Sequence, residues 1–372
     1  MKVGILTLKI HSNFGFLMQA YALQTIVKKQ GHEPYHFYIK EERVGLFGRI
    51  VIFFKKLIRN IFFGSNYRLF PYYPKMRDLE IKDKNTWDFI NKNITLTPYI
   101  PSLTTKYAKN LPTYDAYIVG SDQVWRKEFT DDILCYFFSF VPDNSKKMSY
   151  AASFGKDTIS YSRNVIRLCK DLLKKFDVVT VREDDGIRIC KQYFEYEPIK
   201  VLDPTLLLSK EDYLSLIDDT TPLCSEPYIF IYILRPSKEK SDFISRFAND
   251  RKLRVVNIMP QNLEIVGKSH LDECIYPSIS SWLKGFSQAE YVITDSFHAS
   301  VFSIIFHKQF YVVNDKNGGI TRIPSLLNSL NIDGRYSHEY NGEIIKIDYS
   351  KVDDILMKER DFSMSVISTF LN

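Results

Sequence analysis

Four short stretches place polar, charged or small side chains directly after an apolar run and directly before a helical pattern. The first is Ser12-Asn13-Phe14-Gly15. Asn13 and Gly15 can simply make the turn that ends a strand. They can equally offer an amide-rich surface at a helix N-terminus, suited to an anion or a sugar hydroxyl. The second is Gly120-Ser121-Asp122-Gln123-Val124-Trp125. Here Ser121 or Asp122 can be a helix cap with Trp125 as core. Alternatively Ser121, Asp122, Gln123 and Trp125 grip a sugar through hydrogen-bonding groups and one flat apolar face. The third is Val181-Arg182-Glu183-Asp184-Asp185-Gly186. The three acids suit the positive end of a helix, whereas Arg182 does not. Its guanidinium can pair with a neighbouring acid or fork onto a substrate carboxylate or phosphate. The fourth runs through Thr294, Asp295, Ser296 and Phe297 to His298, in the first turn of an apolar helix. A histidine there can be a structural hydrogen-bonder, or a proton donor and anion ligand near neutral pH. Lys308, Arg322 and Arg335 follow and can add positive charge.

Other chemistries lack their residues. No G-x-G-x-x-G follows the first strand and no G-x-x-x-x-G-K-[ST] occurs, which argues against a dinucleotide dehydrogenase and a P-loop NTPase. The nearest approach to a nucleophile elbow, Ala151-Ala152-Ser153-Phe154-Gly155, has Ala in place of the first glycine. Histidines are scattered and no H-E-x-x-H or EF-hand loop is present, so no metal site is expected.

Elements that must hold these loops follow from the apolar rhythm. Val3–Leu8, Tyr35–Ile39, Ala116–Val119, Met148–Ala151, Val178–Val181 and Lys200–Leu202 read as strands, and a helix runs from about Leu17 to Gln30, closed by Gly31. The rhythm restarts after an expected linker at Thr220–Pro227. Strands follow at Tyr228–Leu234, Arg254–Ile258, Tyr291–Thr294 and Phe310–Val313, with helices at Lys238–Arg251, Ser278–Gln288, His298–Phe306 and Asp353–Phe370. The expected fold is α/β, with two Rossmann-like domains facing a cleft: 1–220, 221–350, and a C-terminal helix over 351–372. Loops at the carboxyl ends of the strands would line that cleft.

At 372 residues, two domains fit better than one or four. The 45% hydrophobic and 25% charged composition excludes a mostly disordered chain. Five cysteines, Cys135, Cys169, Cys190, Cys224 and Cys274, form no C-x-x-C pair, which argues against a disulfide framework and favours a reducing compartment. No signal peptide or membrane span is legible, so a cytoplasmic location is expected. The net charge of +6 is unevenly spread: residues 43–77 hold eight Lys and Arg and no acid. On a helical wheel from Leu46 to Phe62, Arg49, Lys55, Lys56 and Arg59 share one side, while Leu46, Phe47, Ile50, Phe53, Phe54, Leu57, Ile58 and Ile61 take the other, with Ile52 the exception. This segment can pack on the sheet, or lie on an anionic membrane at the inner face of the plasma membrane. No nucleic-acid partner is expected, because the segment is predominantly apolar between its charges.

Taken together, MKVGILTLKIHSNFGFLMQAYALQ, YDAYIVGSDQVW, KMSYAASFG, VVTVRE, VLDPTLLL and YVITDSFHASVFSIIF resemble, in this order, the motifs of the polysaccharide pyruvyl transferase family. The resemblance implies a fold of the glycosyltransferase B type. It implies phosphoenolpyruvate as co-substrate, no other cofactor, and a sugar acceptor of a capsule, exopolysaccharide or polyprenyl-pyrophosphate-linked precursor. The product would be a pyruvate ketal, with inorganic phosphate released. Arg182 resembles the family's first-domain donor arginine, and His298 the His of its Arg-x-His pair. Ser296 stands where that pair has Arg, so Lys308 or Arg322 would have to supply the missing charge. Asn13-Phe14-Gly15 is followed by Phe16 and Leu17, not by the Asp many members carry. On this reading Arg182, Ser296, His298, Lys308 and Arg322 bind the donor. Asn13, Gly15, Ser121, Asp122, Gln123 and Trp125 bind the acceptor. His298 protonates the departing phosphate, and Asp122 or Asp203 orients or deprotonates the sugar hydroxyl. Two alternatives share the scaffold: a nucleotide-sugar-dependent glycosyltransferase, and a catalytically silent sugar-binding relative.

Overall fold

The computed structural model describes residues 1–39, 50–51, 53–58, 72–108, 111–218, 223–314, 322–332, 334–337, 342 and 346–372. Two parallel sheets organise the chain. In chain order the strands are β1 (Lys2–Leu6), β2 (Glu33–His36), β3 (Ala116–Asp122), β4 (Lys146–Ala152), β5 (Val178–Val181) and β6 (Ile199–Lys200), then β7 (Tyr228–Tyr232), β8 (Arg254–Asn257), β9 (Tyr291–Thr294), β10 (Gln309–Val313) and β11 (Tyr336–Ser337). The first sheet is ordered β2-β1-β3-β4-β5-β6 and the second β11-β10-β9-β7-β8. Every residue of β3 is buried, as expected of a central parallel strand covered on both faces. The pairing Val3↔Ala116 sets β1 against β3, and Ile229↔Tyr291 sets β7 against β9.

Helix α1 (Phe14–Lys29) shows how the sequence fixes an element's ends. Asn13 Oδ1 accepts from the Phe16 N–H at 3.0 Å, satisfying one donor of the first turn. At the other end Gly31 has φ +82°. Its N–H donates to Lys28 O at 2.9 Å, and that of His32 to Val27 O at 3.2 Å. This is the paired closure a glycine just past a helix permits. The remaining helices used below are α2 (Lys238–Arg251), α3 (Ile279–Gln288), α4 (Phe297–Ile305), α5 (Arg322–Ser329) and α6 (Tyr349–Leu371).

One apolar core runs through both sheets. Phe14, at the start of α1, is fully buried against the second half of the chain. Its ring stacks on Trp282 of α3 at 5.5 Å and meets Tyr232 at 6.3 Å and Tyr276 at 5.7 Å. Every residue of α4 is buried. Helix α6 returns to the first sheet. The Leu202 N–H donates to Ser363 Oγ at 3.0 Å, Arg360 Nε to Leu206 O at 2.8 Å, and Lys146 Nζ to Phe370 O at 3.3 Å.

The expected strands and helices are present with ends shifted by a few residues. Of the basic segment, 50–51 and 53–58 are helical, while 43–49, 52 and 59–71 lie outside the described residues, as does part of the expected linker.

Candidate active site

In an open parallel sheet, ligands bind beyond the carboxyl ends of the strands, where the strand order reverses. The first sheet reverses between β1 and β3, the second between β7 and β9. Loops from both reversal points line one cavity of about 460 Å³. Lys9, His11 and Asn13 follow β1, Asp122 ends β3 with Gln123 next, and Arg235 follows β7. Ser296, Phe297 and His298 follow β9, Asn314 follows β10, and Arg322 opens α5.

Asp122 closes β3 in a left-handed conformation, φ 71°, which Asp tolerates better than most side chains. Its carboxylate is nearly buried and meets two arginines. Arg182 Nη2 lies 3.3 Å and Arg322 Nη1 3.9 Å from Oδ1. Burial pushes the Asp122 carboxyl up, but Arg182, His298 and Arg322 outweigh it and hold the group below the ordinary carboxylate range.

Arg182 follows β5 and is committed to carboxylates. Nη1 donates to Asp203 Oδ2 at 2.8 Å, Nη2 to Asp122 Oδ1 at 3.3 Å, and Nε to Glu183 Oε2 at 3.3 Å. The guanidinium also sits 4.3 Å from the Phe297 ring centre. Burial works against its charge, but Glu183, Asp203 and Asp122 hold its pKa above the usual arginine range. It lies one layer behind the cavity wall, its side chain 2% exposed. Asp203 is wholly buried beside it. Oδ1 accepts from Thr205 N at 3.1 Å and Thr205 Oγ1 at 2.7 Å. Burial raises the Asp203 carboxyl, yet His298, Arg182 and Thr205 together pull it far below its ordinary value. Glu183 completes the buried cluster, accepting from Ser153 Oγ.

Ser296 caps α4, its Oγ accepting from the Ala299 N–H at 3.4 Å. His298, in the first turn of α4, reaches into the first half of the chain. Its Nε2 stands 3.7 Å from Asp203 Oδ2, within ion-pair reach but beyond hydrogen-bond distance, and has no hydrogen-bond partner among the described residues. The other side of the ring lies against Gly15 of α1, where a Cβ would sit 2.4 Å from Nδ1. Arg322 Nε is a second buried nitrogen without a hydrogen-bond partner among the described residues. Burial and the like charge of Arg182 push the Arg322 guanidinium down to about 10. In the second-sheet wall of the cavity, Lys240 Nζ pairs with Asp295 Oδ2 at 2.9 Å. Asp295 also accepts from the Leu234 and Arg235 N–H groups at 2.7 and 3.0 Å. This ties the β7 and β9 loops together.

Asn13, Asp122, Gln123, Ser296, His298 and Arg322 therefore line one cavity, with Arg182 and Asp203 directly behind them. Other expected site residues lie elsewhere. Trp125 offers no flat face to a sugar. It is fully buried, stacked on Phe137 at 4.9 Å, and its Nε1 donates to Tyr136 O at 3.0 Å. Ser121 is buried too, its Oγ donating to Gln19 Oε1 at 2.8 Å. Gly15 supplies room for His298 rather than a surface for the acceptor. Lys308 cannot replace the missing arginine, because it precedes β10 at the amino end of that strand, opposite the cavity. Arg335 is likewise distant. It is buried 5.4 Å from the Tyr311 ring centre, and its Nη2 donates to Gln309 Oε1 at 3.4 Å.

Sequence reasoning passed over Arg235, Asn314 and Lys240, the partner of Asp295. Arg235 and Asn314 each follow an apolar strand, so the rule that singled out the other four junctions would have found them. Among the described residues, no group of three His, Cys, Asp or Glu side chains is arranged to hold a metal ion.

The sequence profile of the polysaccharide pyruvyl transferase family matches residues 13–317. The chain belongs to this family. No curated protein sequence matches it. Among solved structures, the chain is similar to one assigned as a UDP-N-acetylglucosamine 2-epimerase from Listeria monocytogenes, with a TM-score of 0.50 and 9% identity, over 98% of this chain and 91% of that one. It is also similar to the UDP-GlcNAc 2-epimerase from Neisseria meningitidis, solved bound to UDP-GlcNAc, with a TM-score of 0.47 and 12% identity, over 98% and 94% of the two chains. At such identities the likeness concerns the fold, which is of the glycosyltransferase B type. Among the described residues, no helix is long and apolar enough to cross a membrane.

Proposed function

We propose that this family member transfers pyruvate from phosphoenolpyruvate to two hydroxyls of one sugar, in a cell-surface polysaccharide or its polyprenyl-pyrophosphate-linked precursor. The observation that carries the reading is the pair of buried nitrogens without hydrogen-bond partners among the described residues, His298 Nε2 and Arg322 Nε, beside the N-terminus of α4. A buried donor without an acceptor is costly, and a helix N-terminus favours an anion. Phosphoenolpyruvate carries two anionic groups. Arg322 and His298 bind them, and Arg322 supplies the charge that Ser296 lacks.

The reaction balances without an oxidant or reductant. A proton adds to C3 of the enol, and the first sugar oxygen bonds to C2. The bond from C2 to the phosphate oxygen then breaks, and the second sugar oxygen bonds to C2. Of the two protons lost by the hydroxyls, one is balanced at C3 and the other at the departing phosphate. His298 donates to that phosphate. Asp122, at the cavity wall, takes the hydroxyl proton once the new bond to C2 has made it acidic, so a weak carboxylate base suffices. Asp203 and Arg182 act from behind, one beside the imidazole and the other on Asp122.

Calorimetric titration with phosphoenolpyruvate, beside UDP and CMP, tests this. Saturable phosphoenolpyruvate binding that weakens about tenfold or more in Arg322→Gln and His298→Ala is the expected result. Binding of a nucleotide with no response to phosphoenolpyruvate would instead select the nucleotide-sugar reading.

A further inference from the structure

The helical residues 50–51 and 53–58 carry an apolar stripe that the described fold leaves uncovered. Ile50, Phe54 and Ile58 are 46, 54 and 50% exposed. Spaced four apart on a helix, they fall within an arc of about 80° and along about 12 Å. Phe53 and Phe54 meet edge to face at 5.5 Å, and Lys55 beside them is exposed. The stripe lies inside the run 43–77, which holds eight cations and no acid. The far described end of that run repeats the pairing of apolar and basic groups: Tyr73 and Met76 are 39 and 42% exposed, and Lys75 and Arg77 are exposed with them. None of these residues lines the cavity.

We infer that this face docks on an anionic bilayer. Among the described residues this face presents the exposed cations Lys55, Lys75 and Arg77 beside its apolar groups, and a second copy of this chain, at +6 overall, offers no complementary excess of acid. An anionic bilayer meets both requirements at once: its headgroups attract the cations, and its acyl boundary takes Ile50, Phe54 and Ile58. Nucleic acid would meet only the charge. The inference is independent of the pyruvyl-transfer reading, since it concerns a different surface.

Vesicle co-sedimentation of the full chain tests it. Binding to phosphatidylglycerol–phosphatidylcholine vesicles should exceed binding to phosphatidylcholine alone by about tenfold or more, and should fall with salt. The variant carrying Ile50→Glu, Phe54→Glu and Ile58→Glu should lose about a hundredfold in partitioning, with its melting temperature unchanged because the side chains are exposed. His298→Ala should bind vesicles like the parent, which separates this result from any failure of the catalytic reading. Equal binding to neutral and anionic vesicles overturns the inference, as does retention in the triple variant. So does self-association or oligonucleotide binding in place of vesicle binding.

Discussion

Replacing Gly15 by Ala tests whether His298 is held where the cavity geometry requires. Without a neighbour, the substitution should stabilise the protein, because Ala is preferred to Gly in a helix by about 1 kcal/mol. The structure reverses that sign. The new Cβ would lie 2.4 Å from His298 Nδ1, 2.6 Å from Cγ and 2.7 Å from Cβ. Since real Cβ contacts stay beyond 3.0 Å, the ring must retreat by at least about 0.6 Å. Overpacking of this kind costs about 1–3 kcal/mol. Urea denaturation of the parent, Gly15→Ala, His298→Gly and the double variant forms a cycle. Gly15→Ala should destabilise the parent by about 1–2 kcal/mol, and should be neutral or stabilising once position 298 is Gly. Phosphoenolpyruvate affinity should fall in the single variant, because Nε2 moves with the ring. Stabilisation by Gly15→Ala in the parent would refute the seating of His298 on α1.

Arg182 and Arg322 should separate in one pair of melts. Arg182→Gln leaves three carboxylates facing one another and should cost about 3–5 kcal/mol, whereas Arg322→Gln relieves a desolvated charge and should leave stability unchanged or higher while weakening donor binding. His36 is buried with Nε2 bonded to Ala20 O at 3.1 Å, and burial lowers it to about 4. The unfolded chain therefore binds more protons between about pH 6.5 and 4, so stability is full above that window and declines through it by about 3 kcal/mol. Denaturant titrations across those pH values should show a shallower slope in His36→Gln. Trp125→Ala should cost about 3–5 kcal/mol and leave phosphoenolpyruvate affinity unchanged, as for a core residue; a selective loss of sugar or donor binding at unchanged stability would contradict its burial.

Strands such as Ala116–Val119 and Tyr291–Thr294 are legible because a parallel strand covered on both faces must be continuously apolar. The loops after them are legible for the same reason: their polar residues begin where the apolar run stops. Which polar residues face the cavity is another matter. Asp122 and Trp125 are three residues apart, yet one lines the cavity and the other is core, because the turn after β3 sends Trp125 back under Phe137. Arg182 reads as a cation at a strand end. That it meets Asp203 and Asp122, 21 and 60 positions away, depends on the sheet order, which sets β6 next to β5 and β3 one strand beyond β4. Lys308 failed as a donor ligand for a related reason, since one residue on the amino side of β10 puts it at the wrong end of the sheet. The contact between Gly15 and His298 joins two halves of the chain, and no local pattern encodes it.

The return of α6 to the first sheet has a consequence for synthesis on the ribosome. The Leu202 N–H and the Leu206 carbonyl find their partners on Ser363 and Arg360. About 150 residues separate the two segments, which at typical elongation rates is roughly 8–30 s of translation. Throughout that interval the nascent first sheet has its strands but lacks the helix that covers this part of its surface. The half of the protein made first is thus among the last to be completed, and it spends the interval with polar backbone and apolar side chains open to chaperones.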